Sequence, residues 1–266
     1  MKILVCVKQV PDTTEIKIDP VTNTLIRAGV PSIVNPFDGY ALEVAARIKD
    51  ANPGTTIAVV SMGPEQAKEA LKSCLAVGAD KAYLVSDRAF GGSDTLATSY
   101  ILTTAIKALE KKEGPFDIIL CGKQAIDGDT AQVGPEIAEH LAYPQVTYAA
   151  EANVENGVIR VKRETEDGYE ILEVQMPAVV TVTKTSFEPR YPTIKSKMAA
   201  GKAVIETLTS ADLEIDLSRA GLKGSPTKVK KTFTPQVKKN GIRIQEDNNA
   251  DAARKLVALL SDANLI

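Results

Sequence analysis

The chain has 266 residues, of which 44% are hydrophobic and 25% charged. These fractions are ordinary for a packed globular protein, so a chain that is disordered throughout is excluded. The formal net charge is −2, so no overall basic character favours nucleic acid as a partner. No apolar run approaches the ~20 residues of a membrane-spanning helix. The N-terminus MKILVCVKQV resembles a first strand rather than a signal peptide, so we expect a cytoplasmic protein or a processed protein of an organelle matrix.

The chain carries few side chains suited to catalysis of its own. Its cysteines, Cys6, Cys74 and Cys121, lie far apart, so their spacing predicts neither a zinc site nor an iron–sulfur cluster. All three lie in apolar runs and are expected to be small buried hydrophobic residues. His140 is the only histidine, which nearly excludes histidine acid–base chemistry. We therefore expect no metal site, and we expect a bound cofactor to supply the chemistry.

Short apolar runs alternate with helical patterns over the first two thirds of the chain. The runs predict buried strands at residues 3–7, 56–61, 81–85, 117–121 and 145–148. A small hairpin is predicted between the first strand and the first helix, at residues 16–18 and 25–27. One helix is predicted to begin after Asp38, which would be its N-cap, and a second to run from Pro64 to a stop at Gly78. Two further helices are predicted at residues 95–112 and 135–141.

Single helices between consecutive strands favour a doubly wound, mainly parallel α/β sheet. Three polar, glycine-containing loops, at residues 62–64, 88–95 and 122–134, each follow the carboxyl end of a predicted strand. Open α/β sheets bind their ligands along that edge. We therefore expect these loops to form one site.

The pattern changes after residue 150. Alternating segments at 158–163 and 169–174 predict an antiparallel hairpin, and the strand AVVTVT follows Pro177. Strong periodicity is lost beyond residue 190, so we divide the chain into an α/β domain, 1–190, and a C-terminal arm, 191–266.

The arm contains a basic run at residues 222–243 and a predicted terminal helix at 249–260. Three interpretations of the run are open: an arm that binds nucleic acid, a solvated tail, or an arm that wraps around an acidic protein partner. Its single aromatic residue, Phe233, is poorly suited to base stacking. The apolar helix that follows favours the protein partner.

The loop at residues 122–134 contains the residue types that hold a nucleotide. Exposed backbone N–H groups at a helix start can bind phosphate. Gln132 can donate from its amide, and Asp127 and Asp129 can accept hydrogen bonds from ribose hydroxyls. A turn rich in Asp and Gly that only caps a helix is the alternative.

The loop at residues 88–95 is the second candidate. Gly91, Gly92 and Ser93 precede Asp94, which is expected to cap the following helix or to contact a ribose. Neither loop matches the Walker A pattern or GxGxxG. An ATP-handling domain that uses Lys123, Asp127 and Asp129 is a further alternative.

Several segments of the chain resemble the β subunit of electron-transferring flavoproteins. The resemblance covers about residues 1–200, and its most specific segments are GKQAIDGDTAQVGP at 122–135 and VKRETEDGYEILEVQMPAVVTV at 161–182. Shorter matching segments are VKQVPD at 7–12, NPFDGYALEVAARIK at 35–49, VSMGPEQAKEAL at 60–71, GADKA at 78–82 and EPRYPTIK at 188–195.

The resemblance implies an adenine-nucleotide-binding, Rossmann-like fold and a heterodimer with an α subunit that carries FAD. The terminal helix of the arm is then expected to pack on the α subunit. In this chain the nucleotide would be FAD or, in the alternative, AMP with a structural role. The implied cofactor-binding residues are Lys8, Gln9, Val10, Asn35, Met62, Gly63, Ala125, Asp127, Gly128, Asp129, Gln132 and Val133.

The loop RAFGGSDTLATS at residues 88–99 resembles the electron-bifurcating branch of the family. That branch implies a second FAD in this subunit, NADH as hydride donor, and electrons passed to ferredoxin or flavodoxin and, through the α-subunit FAD, to a flavin dehydrogenase. Glycines beside a helix start would leave room for a bulky dinucleotide. The implied NADH-side residues are Arg88, Phe90, Gly91, Gly92, Ser93, Asp94 and Thr95.

The segment YPTIKSKMAA at residues 191–200 aligns with the loop by which the family docks on dehydrogenases. The implied docking residues are Tyr191, Thr193, Ile194 and Lys195. Met198, Ala199 and Ala200 replace the lysine-rich end of many members. An acyl-CoA type or a 2-hydroxyacid (lactate) type of dehydrogenase is therefore open as the partner.

Overall fold

A computed structural model of the chain describes residues 1–12, 32–230 and 241–266. These residues form two compact units, the first from residues 1–12 and 32–230 and the second from residues 241–266. The predicted hairpin at residues 16–18 and 25–27 lies outside the described residues.

The first unit is built on a nine-stranded sheet and a separate two-stranded antiparallel sheet. The two-stranded sheet consists of β2 (Gln9–Pro11) and β3 (Ser32–Val34). The strands of the large sheet are β1 (Lys2–Cys6), β4 (Thr56–Met62), β5 (Lys81–Val85), β6 (Ile118–Gly122), β7 (Gln145–Glu155), β8 (Val158–Thr165), β9 (Gly168–Gln175), β10 (Ala178–Val182) and β11 (Glu206–Leu208).

The large sheet is mainly parallel, with the strand order β11-β5-β4-β1-β6-β10-β7-β8-β9. Every neighbouring pair from β11 to β7 is parallel. The predicted hairpin forms β8 and β9 and extends the same sheet through antiparallel pairing with β7. These observations confirm the predicted α/β fold class.

Helices cover both faces of the sheet. One face packs against α1 (Pro36–Ala51) and α2 (Lys68–Ala76), and the other against α3 (Thr95–Glu113) and α4 (Val133–Leu141). Successive residues of β1 alternate between the two cores: Ile3 and Val5 face α1, and Leu4 and Cys6 face α3. Apolar residues at every position of the strand are therefore expected for a sheet that is buried on both sides.

The strand order reverses beside β1. The chain passes from β1 to β4 and β5 on one side and then crosses back to β6 on the other side. In open α/β sheets a crevice forms at such a point, outside the carboxyl ends of the strands. The loops that follow β1, β4, β5 and β6 therefore meet at one place.

Two predicted helix starts need correction. The N-cap of α1 is Asn35, and Asp38 lies in the first turn, where it is 6% exposed. Both residue types are good N-caps, and Pro36 fits the first helical position better than a position before the cap. Pro64 precedes a 3₁₀ turn at Glu65–Ala67, so α2 begins at Lys68.

Regular structure continues beyond residue 190, where strong periodicity is lost in the sequence. A capping box between Thr193 and Ser196 starts α5 (Ile194–Lys202), and β11 pairs with β5 at the edge of the sheet. Only Ala200 of α5 is buried, so the helix lacks the apolar stripe that would predict it. A short helix, α6 (Gly221–Gly224), also belongs to the first unit.

The second unit contains α7 (Asn249–Asp262), close to the predicted range of 249–260. The side chain of Asn248 caps it by accepting a hydrogen bond from the Asp251 N–H. Its apolar residues Leu256 and Val257 are exposed. No helix among the described residues has the length and apolar character needed to cross a membrane.

Gly122, the last residue of β6, packs closely against the backbone of α1. A Cβ at this position would lie 2.7 Å from the backbone nitrogen of Asp38. We expect Gly122→Ala to lower the free energy of unfolding by about 1–3 kcal/mol, because backbone atoms cannot move aside as a flexible side chain can.

The matched control is Gly201→Ala in α5, where a Cβ meets no atom within 4 Å. That change is expected to alter stability by less than about 1 kcal/mol, in the stabilising direction. Denaturant unfolding of both variants checks the prediction, and equal effects would contradict it.

Candidate functional site

A cavity of about 910 Å³ lies at the carboxyl edge of the parallel strands. Its walls come from four segments, the residues 6–11, 60–67, 85–95 and 121–134, with further side chains from α1 and α3. The loops that follow β1, β4, β5 and β6 thus share one enclosure.

The residues predicted to bind the cofactor or to form the NADH side meet in this cavity with one exception. Asp129 does not line it, and its carboxylate instead accepts a hydrogen bond of 2.8 Å from the Gln124 side chain. The predicted residues that do line the cavity are Lys8, Gln9, Val10, Asn35, Met62, Gly63, Arg88, Phe90, Gly91, Gly92, Ser93, Asp94, Thr95, Ala125, Asp127, Gly128, Gln132 and Val133.

Asp38 joins two strand ends beneath the cavity. Its carboxylate accepts hydrogen bonds from the Lys8 N–H at 2.7 Å and from the Gly122 N–H at 3.1 Å. Burial raises the pKa of Asp38 from 3.8 to about 7, against hydrogen bonds from Asn35, Lys8 and Gly122 and the Lys8 charge, which lower it. The sequence pattern predicts Asp38 only as a helix cap, because its link to two distant strands is a tertiary contact.

Asn35 fixes the loop that follows β6. Its side-chain Nδ2 donates to the Gln124 carbonyl at 2.8 Å, and its Oδ1 accepts from the Ile126 N–H at 3.1 Å. The residue is 1% exposed. Because both ends of the amide engage the loop, Asn35 shapes the cavity wall.

Lys8 and Asp127 close one side of the cavity. The Lys8 Nζ lies 2.6 Å from the Asp127 Oδ1, and the lysine side chain is half-exposed while the aspartate is mostly covered. Lys123, which also lines the cavity, lies over the rings of Phe37 and Tyr148, 5.1 and 5.7 Å from their centroids. On the side of β1 and β6 the Lys8 ammonium is therefore paired with a carboxylate, and the Lys123 ammonium lies over two aromatic rings.

The backbone before α4 changes from a left-handed to a right-handed conformation at consecutive residues. Ala131 is left-handed with φ 54°, and Gln132 is right-handed with φ −104° and ψ −34°. Alternation of this kind forms a concave nest that binds anions. The N–H groups in the first turn of α4 have no intrahelical acceptor, and the side chain of Gln132 does not cap them. This wall suits a phosphate.

The loop after β5 is held by two carboxylates. The Asp87 side chain accepts from the Ala89 N–H at 2.9 Å, and Asp94 caps α3 by accepting from the Ala97 N–H at 3.0 Å. Hydrogen bonds led by that from the Ser210 hydroxyl hold the pKa of Asp87 below its usual range. The capping role expected for Asp94 is confirmed.

The contacts of Gly92 within the chain explain why this residue is glycine, without reference to a ligand. Its φ of 74° is left-handed, and a Cβ there would lie 2.6 Å from the Leu222 side chain. Both Gly91 and Gly92 were expected to leave room for a dinucleotide. For Gly92, packing against residue 222 is a separate cause that no local pattern could reveal.

The two helix starts touch across the cavity. The Thr95 hydroxyl lies 3.2 Å from the Gln132 Oε1 and 3.3 Å from the Glu136 Oε1. This contact connects the loop at 88–95 with the loop at 122–134. One ligand could therefore contact both loops.

The cysteines are buried, as predicted. Cys6 and Cys121 are register partners on β1 and β6 and lie in the floor of the cavity. A hydrogen bond with Cys6 and burial raise the pKa of the Cys121 thiol well above its usual range, so the thiol stays protonated and unreactive. Among the described residues, no group of three or more His, Cys, Asp or Glu side chains could hold a metal.

The predicted docking residues lie outside the cavity, at the start of α5. Tyr191 is 92% exposed and Ile194 is 81% exposed. Thr193 caps the helix, and Lys195 follows in its first turn. Met198 and Val204 add further exposed apolar surface to the same segment.

A doubly wound sheet with a cavity of this kind at its carboxyl edge is typical of nucleotide-binding α/β proteins. Residues 22–213 match the model of the electron transfer flavoprotein domain. The chain belongs to the electron transfer flavoprotein family, and the relatives below place it with the β subunits.

The electron transfer flavoprotein subunit beta of Megasphaera elsdenii is 55% identical over 255 residues, which cover 95% of this chain and 94% of that protein. Subunit CarD of the caffeyl-CoA reductase–Etf complex of Acetobacterium woodii is 49% identical over 266 residues and 100% of both chains. Protein FixA of Bradyrhizobium diazoefficiens is 42% identical over 260 residues, covering 96% of this chain and 90% of that protein.

The pKa of Asp38 predicts a specific pH dependence of stability. Because the folded-state pKa is raised to about 7, the folded chain binds this proton more tightly than the unfolded chain. Its contribution to stability is therefore full below about pH 4 and is lost as the pH rises through about 7. We expect Asp38→Asn, which cannot titrate, to lose less stability than the wild type between about pH 5 and pH 8.

Denaturant unfolding at both pH values measures this difference. Glu166→Gln, at an exposed position in the turn between β8 and β9, is the matched control and should follow the wild type. Parallel curves for the wild type and Asp38→Asn would contradict the assignment.

Proposed function

We propose that this chain is the FAD-binding β subunit of an electron-bifurcating flavoprotein complex that is reduced by NADH. The observation that carries the proposal is the single cavity of about 910 Å³ lined by both loops, 88–95 and 122–134. Ligand pockets span about 300–1,000 Å³, so this cavity lies at the upper end and suits a dinucleotide better than a mononucleotide.

The phosphates of the cofactor would lie at the nest formed by Ala131 and Gln132 and at the start of α4. Backbone N–H groups at a helix start bind phosphate through both hydrogen bonds and the helix dipole. Lys123 also lines the cavity, and Lys8 does so as an ion pair with Asp127. The Nε2 of Gln132 is available to donate to a ribose hydroxyl, and the Thr95 hydroxyl, which donates to the Gln132 Oε1, is available to accept a hydrogen bond from one.

The loop at residues 88–95 would form the NADH side of the site. Arg88 is exposed and lines the cavity, so its guanidinium is available to a diphosphate, which it can bind through two parallel hydrogen bonds. Gly91 lines the cavity without a side chain, which leaves its backbone accessible. Phe90 is buried and anchors the loop.

When bound, FAD would supply the redox chemistry, because it can accept a hydride from NADH and pass electrons on singly. The role of the chain is then to bind and orient the cofactor. Asp38 and Asn35 fix the loops around it. The apolar side chains of Val60, Val85 and Leu102, which line the cavity, would exclude water from part of the site.

The proposed partners are an α subunit that carries a second FAD, a flavin dehydrogenase, and ferredoxin or flavodoxin. The relative from Acetobacterium woodii is a subunit of a caffeyl-CoA reductase–Etf complex, which supports an acyl-CoA type of dehydrogenase. A 2-hydroxyacid type is the alternative. The exposed surface of Tyr191, Ile194 and Met198 is the proposed docking site, since exposed apolar clusters of this kind mark interfaces.

The test is an anaerobic titration of the purified α/β complex, supplied with FAD, with NADH. We expect reduction of two flavins per heterodimer. Reduction of one flavin or none would contradict the proposal and favour an ordinary carrier that holds AMP.

The backbone of Ala131 provides a test of the nucleotide site. We expect Ala131→Val to weaken FAD binding about tenfold, because a β-branched residue resists the left-handed conformation by about 1–2 kcal/mol. Ala131→Gly, which adopts that conformation freely, should bind within about twofold of the wild type. Calorimetric titration of the nucleotide-free complex with FAD measures both, and equal losses in the two variants would rule out the backbone as the cause.

A further inference from the structure

The segment 220–227, which we call the clasp, lies against the loop at residues 88–95. The Gly221 N–H donates to the Ser93 hydroxyl at 3.1 Å. Gly221 has a left-handed φ of 59°, and a Cβ there would overlap the Ala89 carbonyl. The Leu222 side chain covers Gly92 from the other side. The clasp and the loop are thus in contact along several consecutive residues.

Ser225 is buried where the clasp meets the loop. It is 4% exposed, and its hydroxyl accepts from the Asp94 N–H at 2.8 Å and donates to the Gly221 carbonyl at 2.7 Å. The Thr227 N–H donates to the second carboxylate oxygen of Asp94 at 3.0 Å. Asp94 is therefore held by its backbone and by its side chain.

Asp94 connects the clasp to the cavity. Its other carboxylate oxygen caps α3 through the Ala97 N–H at 3.0 Å. Asp94 and Thr95 both line the cavity. A shift of the clasp would move the first turn of α3 together with the cavity wall.

We propose that the clasp, through Ser225, is a positioning element for the NADH-side loop, although it lies about 130 residues away in the chain. The inference rests on the proposed role of residues 88–95 in binding NADH. The Ser225 hydroxyl contributes by fixing the Asp94 backbone, since loss of the acceptor would leave a partly buried N–H unpaired. Residues 220–227 thus belong functionally to the cavity and not only to the arm predicted from the sequence.

The test uses the α/β complex with Ser225→Ala. We expect the KM for NADH to rise about tenfold, while kcat at saturating NADH and the bound flavin content stay within about twofold. Ser225→Thr retains the hydroxyl and should restore most of the loss. Ser218→Ala, the same kind of change at an exposed position just before the clasp, is the matched control and should behave as the wild type.

Amide hydrogen exchange gives a readout that does not depend on NADH. Ser225→Ala should speed exchange in peptides covering residues 88–97 and leave peptides from α1 unchanged. Leu222→Ala, a milder change at an exposed side chain, should speed exchange around Gly92 and raise the KM for NADH about twofold. It keeps the inference testable should Ser225→Ala not fold.

Unchanged exchange in both variants would overturn the clasp as the element that holds the loop. Faster exchange with an unchanged KM would overturn its role in positioning NADH. A wild-type complex whose second flavin is not reduced by NADH would contradict the proposed function itself, and the exchange measurement would still decide whether the clasp holds the loop.

Discussion

The cavity depends on one buried carboxylate at the point where the strand order reverses. Asp38 accepts backbone hydrogen bonds from the residues that follow β1 and end β6, and so fixes the separation of the two loops that leave these strands. Burying the carboxylate costs free energy, as the raised pKa shows, and hydrogen bonds offset part of that cost. Gly122 must remain without a side chain for Asp38 to reach both strands.

Further hydrogen bonds at the rim of the cavity hold the loops that surround it. Asn35 holds the loop after β6, and Thr95 joins the starts of α3 and α4. Ser225 holds Asp94 from a distant part of the chain. Side chains and backbone N–H groups of the wall are both available to a ligand: Arg88 is exposed at the cavity, and the N–H groups in the first turn of α4 have no intrahelical acceptor. A site of this kind suits a cofactor that supplies its own chemistry.

Much of this arrangement could be predicted because the sheet is parallel. Apolar runs such as residues 3–7 located its strands, and the polar loops after them were expected to share one edge. The functions of Asp38 and of residues 220–227 could not be predicted, since they depend on contacts between residues about 84 and 131 positions apart. The N-cap of α1 could have been placed at Asn35 from the sequence alone, because Pro36 then falls at the first helical position. α5 was missed because its surface is almost entirely exposed.

The proposed function requires this cavity to hold a flavin dinucleotide. Denaturing the purified complex of this chain with its α partner and quantifying the released FAD and AMP tests this requirement. We expect two FAD and little AMP per heterodimer. One FAD and one AMP would contradict it, and the cavity would then belong to a structural nucleotide in an ordinary electron carrier.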